Sequence, residues 1–149
     1  MLNRRILRIK AFKVLYGSVL SDEKSLEQAQ VQLEQSCEAT RDLYLYMLSI
    51  VSPLTKVARE RIEAAQKKFN QTEEERNPNM KFAENALARL LDEDVDFQKV
   101  LSKKKYSWAQ YDLLLKKVMT SVASKKYYED YMNSPERSLK EDCRLFTRI

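Results

Sequence analysis

A single glycine, Gly17, serves a chain of 149 residues, and only three prolines accompany it. Turn formers are therefore scarce, while Leu, Lys, Glu, Gln and Ala are abundant, and all of these are good helix formers. The expectation is an all-α helical bundle with a central N-terminal helix and a long second helix kinked by proline. The length suffices for one domain with a real core. The mean hydropathy of −0.58, with no unbroken apolar run of roughly 18 residues, argues against a helix that crosses a membrane.

The first helix spans Leu2 to Leu20, with Asn3 as its N-cap. It carries Arg4, Arg5, Arg8, Lys10 and Lys13 and no acid. Taking these five from the 27 Lys and Arg of the chain leaves 22, equal to its 22 Asp and Glu. The whole net charge of +5 thus resides in this segment, which points to phosphates or an acidic surface as a partner. The arginines lie near the positive end of the helix dipole, where cations do nothing for helix stability. On a helical wheel, Arg4, Arg8 and Arg5 fall at about 0°, 40° and 100°, and Phe12, Leu15, Tyr16 and Val19 occupy that same range further along. A basic tip on a buried central body is expected, with Ile9 to Leu20 as the spine on which other helices pack. The plainer reading is a core helix with a solvated, charged end. Gly17 either admits a close helix or lets this one fray before the turn at Ser21–Lys24.

Helical spacing then runs from Ser25 to Phe69, and Pro53 should kink or split that stretch near Ser52. Asn70 to Asn79 is polar and aperiodic. It divides a single all-helical domain, residues 1–149, into halves of about 1–70 and 80–149. A helix through Phe82, Ala86, Leu90 and Leu91 follows, then a short one around Asp94–Leu101. Lys103, Lys104, Lys105, Tyr106 and Trp108 could hold phosphates and stack bases. Trp108, Tyr111, Leu115, Val118 and Val122 nevertheless continue as a core stripe, which favours packing. That helix should reach Tyr131 and stop at Asn133-Ser134-Pro135, and Ser138 with Glu141 fits a capping box. The run from Leu139 to Ile149 reads as a helix cut off before its stop signal.

Several chemistries lose their usual equipment here. The chain has no His, which removes the common acid–base pairs, the Ser–His and Cys–His nucleophile systems and most zinc sites. One glycine cannot build a phosphate-cradling loop. Cys37 and Cys143 read as two reduced thiols of a cytoplasmic protein. A non-enzymatic protein without cofactor or metal is expected. The Arg-rich start also leaves a mitochondrial presequence open, as well as membrane-surface attachment through an amphipathic helix.

Three arginines at one helix end can neutralise phosphates and stack on exposed bases, which suits single-stranded RNA better than duplex. Asn3-Arg4-Arg5, then Arg8, Ala11, Leu15 and Tyr16, resembles the opening helix of the NusB family of bacterial transcription antitermination and termination factors. The resemblance implies an all-helical fold and RNA binding at Arg4, Arg5 and Arg8; Lys10 and Lys13 are added from charge alone. It also implies boxA-like RNA as ligand and the ribosomal protein NusE as partner, within an RNA polymerase assembly that includes NusA and NusG. Ala11, Leu15 and Tyr16 become packing positions. The late segments of ordinary members are not found. The Pro78-to-Leu87 and Leu139–Ile149 stretches resemble the inserted region of a longer branch, which implies an N-terminal portion lacking the C-terminal core. A rival of another class is a helical protein-interaction module whose basic tip binds an acidic protein surface.

Overall fold

The computed structural model describes residues 2–21 and 25–149. All regular structure among them is helical: α1 (Arg4–Leu20), α2 (Leu26–Leu48), α3 (Val51–Gln66), α4 (Glu73–Arg76), α5 (Ala86–Glu93), α6 (Val95–Lys104), α7 (Asp112–Ala123), α8 (Lys126–Asn133) and α9 (Leu139–Phe146). A 3-10 turn, Ala109–Tyr111, leads into α7. The all-α class holds. Among the described residues no helix is long and apolar enough to cross a membrane.

The chain forms two compact units, 1–47 and 48–149. The division falls at the end of α2, and residues 70–79 lie within the second unit. Residues 70–79 belong inside the second unit because their polar side chains are used locally. Thr72 and Glu75 form a capping box on α4, Glu75 pairs with Lys68 at 2.5 Å, and Asn79 Nδ2 donates to the Met132 carbonyl at 2.8 Å.

In the first unit Asn3 caps α1 as expected, its Oδ1 accepting from Ile6 N at 3.0 Å. The rest of α1 departs from the expectation of a buried central helix, because none of its residues is buried. Among the described residues of this unit only Ala29 reaches the buried class. The physical reason is geometric: within a two-helix unit each helix has one covered side, and apolar residues elsewhere on it face water. Gly17 serves no close approach, since a Cβ there would meet nothing within 4 Å. Of the turn expected at Ser21–Lys24, residues 22–24 lie outside those described; Ser21 closes α1 by donating from its N–H to the Gly17 carbonyl at 2.9 Å.

Of the kink or split expected near Ser52, a split is found, between Leu48 and Val51. Pro53 lies in the first turn of α3, where backbone N–H groups have no intrahelical acceptor and a proline costs nothing. The first such bond of α3 comes one residue later, from Leu54 N to the Ile50 carbonyl at 3.0 Å.

The second unit is built on α3, which packs on both α7 and α5. Its core joins Leu54, Val57 and Ala58 of α3 to Phe82, Leu115, Met119, Tyr131 and Leu145. Leu54 and Phe82 are almost wholly excluded from water, each contributing on the order of 2 kcal/mol. A smaller cluster of Val51, Ala88 and Leu91 ties α3 to α5. Phe82 precedes α5, which begins only at Ala86 because Asn85 caps it, accepting from Leu87 N and Ala88 N. Leu90, expected on the buried face, is exposed. The helix expected from 109 to Tyr131 is broken into the 3-10 turn, α7 and α8, with α8 stopping at Asn133 as expected. Ser138 caps α9, which closes at Phe146 with Thr147 as C-cap.

Candidate nucleic-acid interface

The five candidate cations on α1 fall into two groups. Arg4, Arg5 and Arg8 are exposed in the first two turns, and none of their side chains makes a hydrogen bond or ion pair with another described residue. Lys10 and Lys13 point the other way. They line a groove of about 500 Å³ between α1 and α2, together with Ile6, Ile9, Val14 and Ser36. Lys10 is only half-exposed. Its Nζ donates to the Ser36 carbonyl at 2.7 Å and to Ser36 Oγ at 2.8 Å. That ammonium is committed to joining the two helices, whereas Lys13 is exposed and makes no such bond among the described residues.

The arginine side of α1 is exposed along its length among the described residues. Phe12, Leu15, Tyr16 and Val19 share it and are all exposed, and none of them lines the groove against α2. The Phe12 and Tyr16 rings stack on each other, with centroids 5.9 Å apart and planes 15° from parallel. Arginine guanidinium groups without protein acceptors can bind phosphates or carboxylates bidentately. With no acid on α1, nothing on that helix competes for them.

The Lys103–Trp108 cluster is structural in its main features. The Trp108 indole N–H donates to Ser49 Oγ at 3.0 Å, and its ring meets Tyr111 edge-on at 5.9 Å. Lys103 and Lys104 occupy the last turn of α6, where cations complement the helix dipole. Lys105 ends that helix in the left-handed region at φ 55°.

A buried polar hub in the second unit was not anticipated from the sequence. Lys81, only 4% exposed, donates to the Tyr131 carbonyl at 2.7 Å and the Ser134 carbonyl at 2.9 Å. Its Nζ also pairs with Glu141 at 2.9 Å and sits 4.3 Å from the Tyr131 ring centre. The Tyr131 hydroxyl donates to Asp142 Oδ1 at 2.7 Å, while Asp142 Oδ2 accepts from Ala86 N at 2.8 Å. Burial, reinforced by the Asp142 carboxylate, pushes the Tyr131 hydroxyl well above its ordinary range. Burial also opposes ionisation of Glu141, yet Lys81 and Ser134 outweigh it and hold that carboxyl below its ordinary value. Each polar partner is used to fasten α8 and α9 to residues 79–86, which is a structural role.

Among the described residues no group of three or more His, Cys, Asp or Glu is arranged to hold a metal. Both cysteines are free thiols. Comparison with known proteins gives no match to a protein family, to a curated protein or to a solved structure.

Proposed function

We propose that this chain is an RNA-binding transcription antitermination and termination factor of the NusB type. It acts without catalysis, with NusE as partner, on boxA-like single-stranded RNA in an RNA polymerase assembly that includes NusA and NusG. The observation that supports this most is the exposed trio Arg4, Arg5 and Arg8, free of protein acceptors on a helix without acids. Three cations supply modest, salt-dependent affinity, so a second protein is needed for useful strength.

The rival reading is an interaction module that docks an acidic protein, and the exposed apolar residues along α1 favour it. Competition separates the two. The chain and NusE are titrated into labelled boxA-like RNA and challenged with unlabelled RNA of the same or scrambled sequence. The RNA-factor reading expects the matching RNA to displace at far lower concentration than the scrambled one. Equal displacement by both, or no RNA binding at all, leaves the acidic-protein module as the better account.

A further inference from the structure

We propose that lysines along α7 and at both its ends form a second phosphate-binding face for single-stranded RNA, carried by the second unit; this rests on the RNA-binding reading of the chain. Residues 99–126 hold eight lysines and a single acid, Asp112. An imbalance of that size in one stretch calls for a polyanion. Three of the eight are used within the protein. Lys99 pairs with Asp96 at 3.3 Å, Lys116 pairs with Asp112 at 2.6 Å, and Lys104 is also engaged. The other five, Lys103, Lys105, Lys117, Lys125 and Lys126, are exposed. None of their side chains makes a hydrogen bond or ion pair among the described residues.

The fold gathers these cations around one helix. α7 buries Leu115, Met119 and Val122. Its opposite side is the row Leu113, Lys117, Thr120 and Ser124, spaced so that each neighbours the next. Lys103 and Lys105 come just before α7, where Trp108 is fixed by its bond to Ser49 and its ring contact with Tyr111. Lys125 and Lys126 come directly after it, at the start of α8. Cations thus stand before, on and after a helix about 18 Å long, a run that the successive phosphates of a strand can follow. Helix dipoles explain only part of the set. Lys103 complements the end of α6, but Lys117 is mid-helix, and Lys125 and Lys126 stand where the negative end of α7 meets the positive end of α8. The exposed leucines of α7, Leu113 and Leu114, are confined to its first turn. Thr120, Ser121 and Ser124 lie beyond them, so the face lacks the apolar stripe with which a helix enters a lipid surface. Lysine ammoniums are compact point charges suited to phosphates, so this face adds affinity and leaves sequence choice to other residues.

The test uses the full chain and three probes: single-stranded boxA-like RNA, RNA of scrambled sequence, and vesicles of phosphatidylglycerol and phosphatidylcholine. Lys103→Gln/Lys105→Gln/Lys117→Gln/Lys125→Gln/Lys126→Gln should bind both RNAs about tenfold more weakly, with a log–log salt slope shallower by about 2. The charge-keeping set Lys103→Arg/Lys105→Arg/Lys117→Arg/Lys125→Arg/Lys126→Arg should retain native affinity. So should a control that loses the same charge elsewhere, Lys56→Gln/Lys67→Gln/Arg76→Gln/Lys140→Gln/Arg148→Gln. Equal weakening by that control overturns the proposal, because net charge alone would then suffice. A loss confined to the matching RNA also overturns it, since the face would then read bases. If the glutamine variant binds RNA as native protein does while Arg4→Ala/Arg5→Ala/Arg8→Ala binds it worse, the lysine face is wrong and the reading of α1 stands. If neither variant is weakened, or native protein binds no RNA, both fall. Vesicle binding that needs the five lysines, with RNA binding that does not, assigns the face to a membrane surface instead.

Discussion

Tyr131 shows how much one side chain can hold in this fold. Its hydroxyl donates to Asp142, accepts from Asn85 Nδ2 at 3.3 Å, and its ring covers the Lys81 ammonium. Tyr131→Phe keeps the ring and leaves Asp142 and Asn85 each short of a partner. It should cost about 1–3 kcal/mol, read from urea unfolding at neutral pH. The pH dependence follows from the raised Tyr131 pKa. Below the ordinary tyrosine value of 10.0 the stabilisation is fully present; above it the unfolded chain gives up its proton first and stability falls with rising pH. The Phe variant should lose less stability than the native chain between neutral and strongly alkaline pH. Glu141 acts in the opposite direction, its lowered carboxyl contributing above 4.5 and losing that contribution as pH falls. Nothing at residues 81, 131 or 142 advertises this hub in the sequence. A lysine and an aspartate some sixty positions apart look like ordinary surface charge until the fold brings them to the same tyrosine.

At the level of elements, local chemistry was the most legible part. The Asn3 and Ser138 caps and the short helix beginning near residue 95 follow from side chains that bond backbone within a few residues, and the stop at Asn133 falls just before Pro135. Apolar periodicity carried less information. The pattern through Leu15 and Val19 has the spacing of a buried face, but spacing alone does not say whether anything covers it. Trp108 and Leu115 belong to one stripe, yet the chain enters it through a 3-10 turn that periodicity cannot distinguish from α-helix. Gly17 gives a clean test of the first helix. A methyl group there meets nothing and the backbone is already helical, so Gly17→Ala should stabilise α1 by about 0.5–1 kcal/mol. Raised helicity and slower amide exchange in residues 4–20 check it; a loss of helicity would mean that the groove beside α2 is narrower than described.

For the molecule as a whole, the division at 47/48 implies unequal protection. The second unit has a layered core around Leu54, Phe82 and Leu115, whereas the first buries little apolar surface among its described residues. Native-state hydrogen exchange should therefore be fast over α1 and α2 and slow over α3 and α7; equal protection throughout would contradict the two-unit description. The charge pattern was fully legible in the sequence, and so was the basic trio. What could not be read was the fate of Lys10, because its partner Ser36 is uncharged and lies on another helix.

If Arg4, Arg5 and Arg8 bind RNA phosphates, their contribution should show in the salt dependence of binding. The affinity of the full chain for single-stranded RNA is measured across a range of salt concentrations, with and without Arg4→Ala/Arg5→Ala/Arg8→Ala. The variant should bind more weakly, with a log–log slope shallower by about 2 and folding unchanged because all three side chains are exposed. The same affinity and slope in both proteins would contradict it.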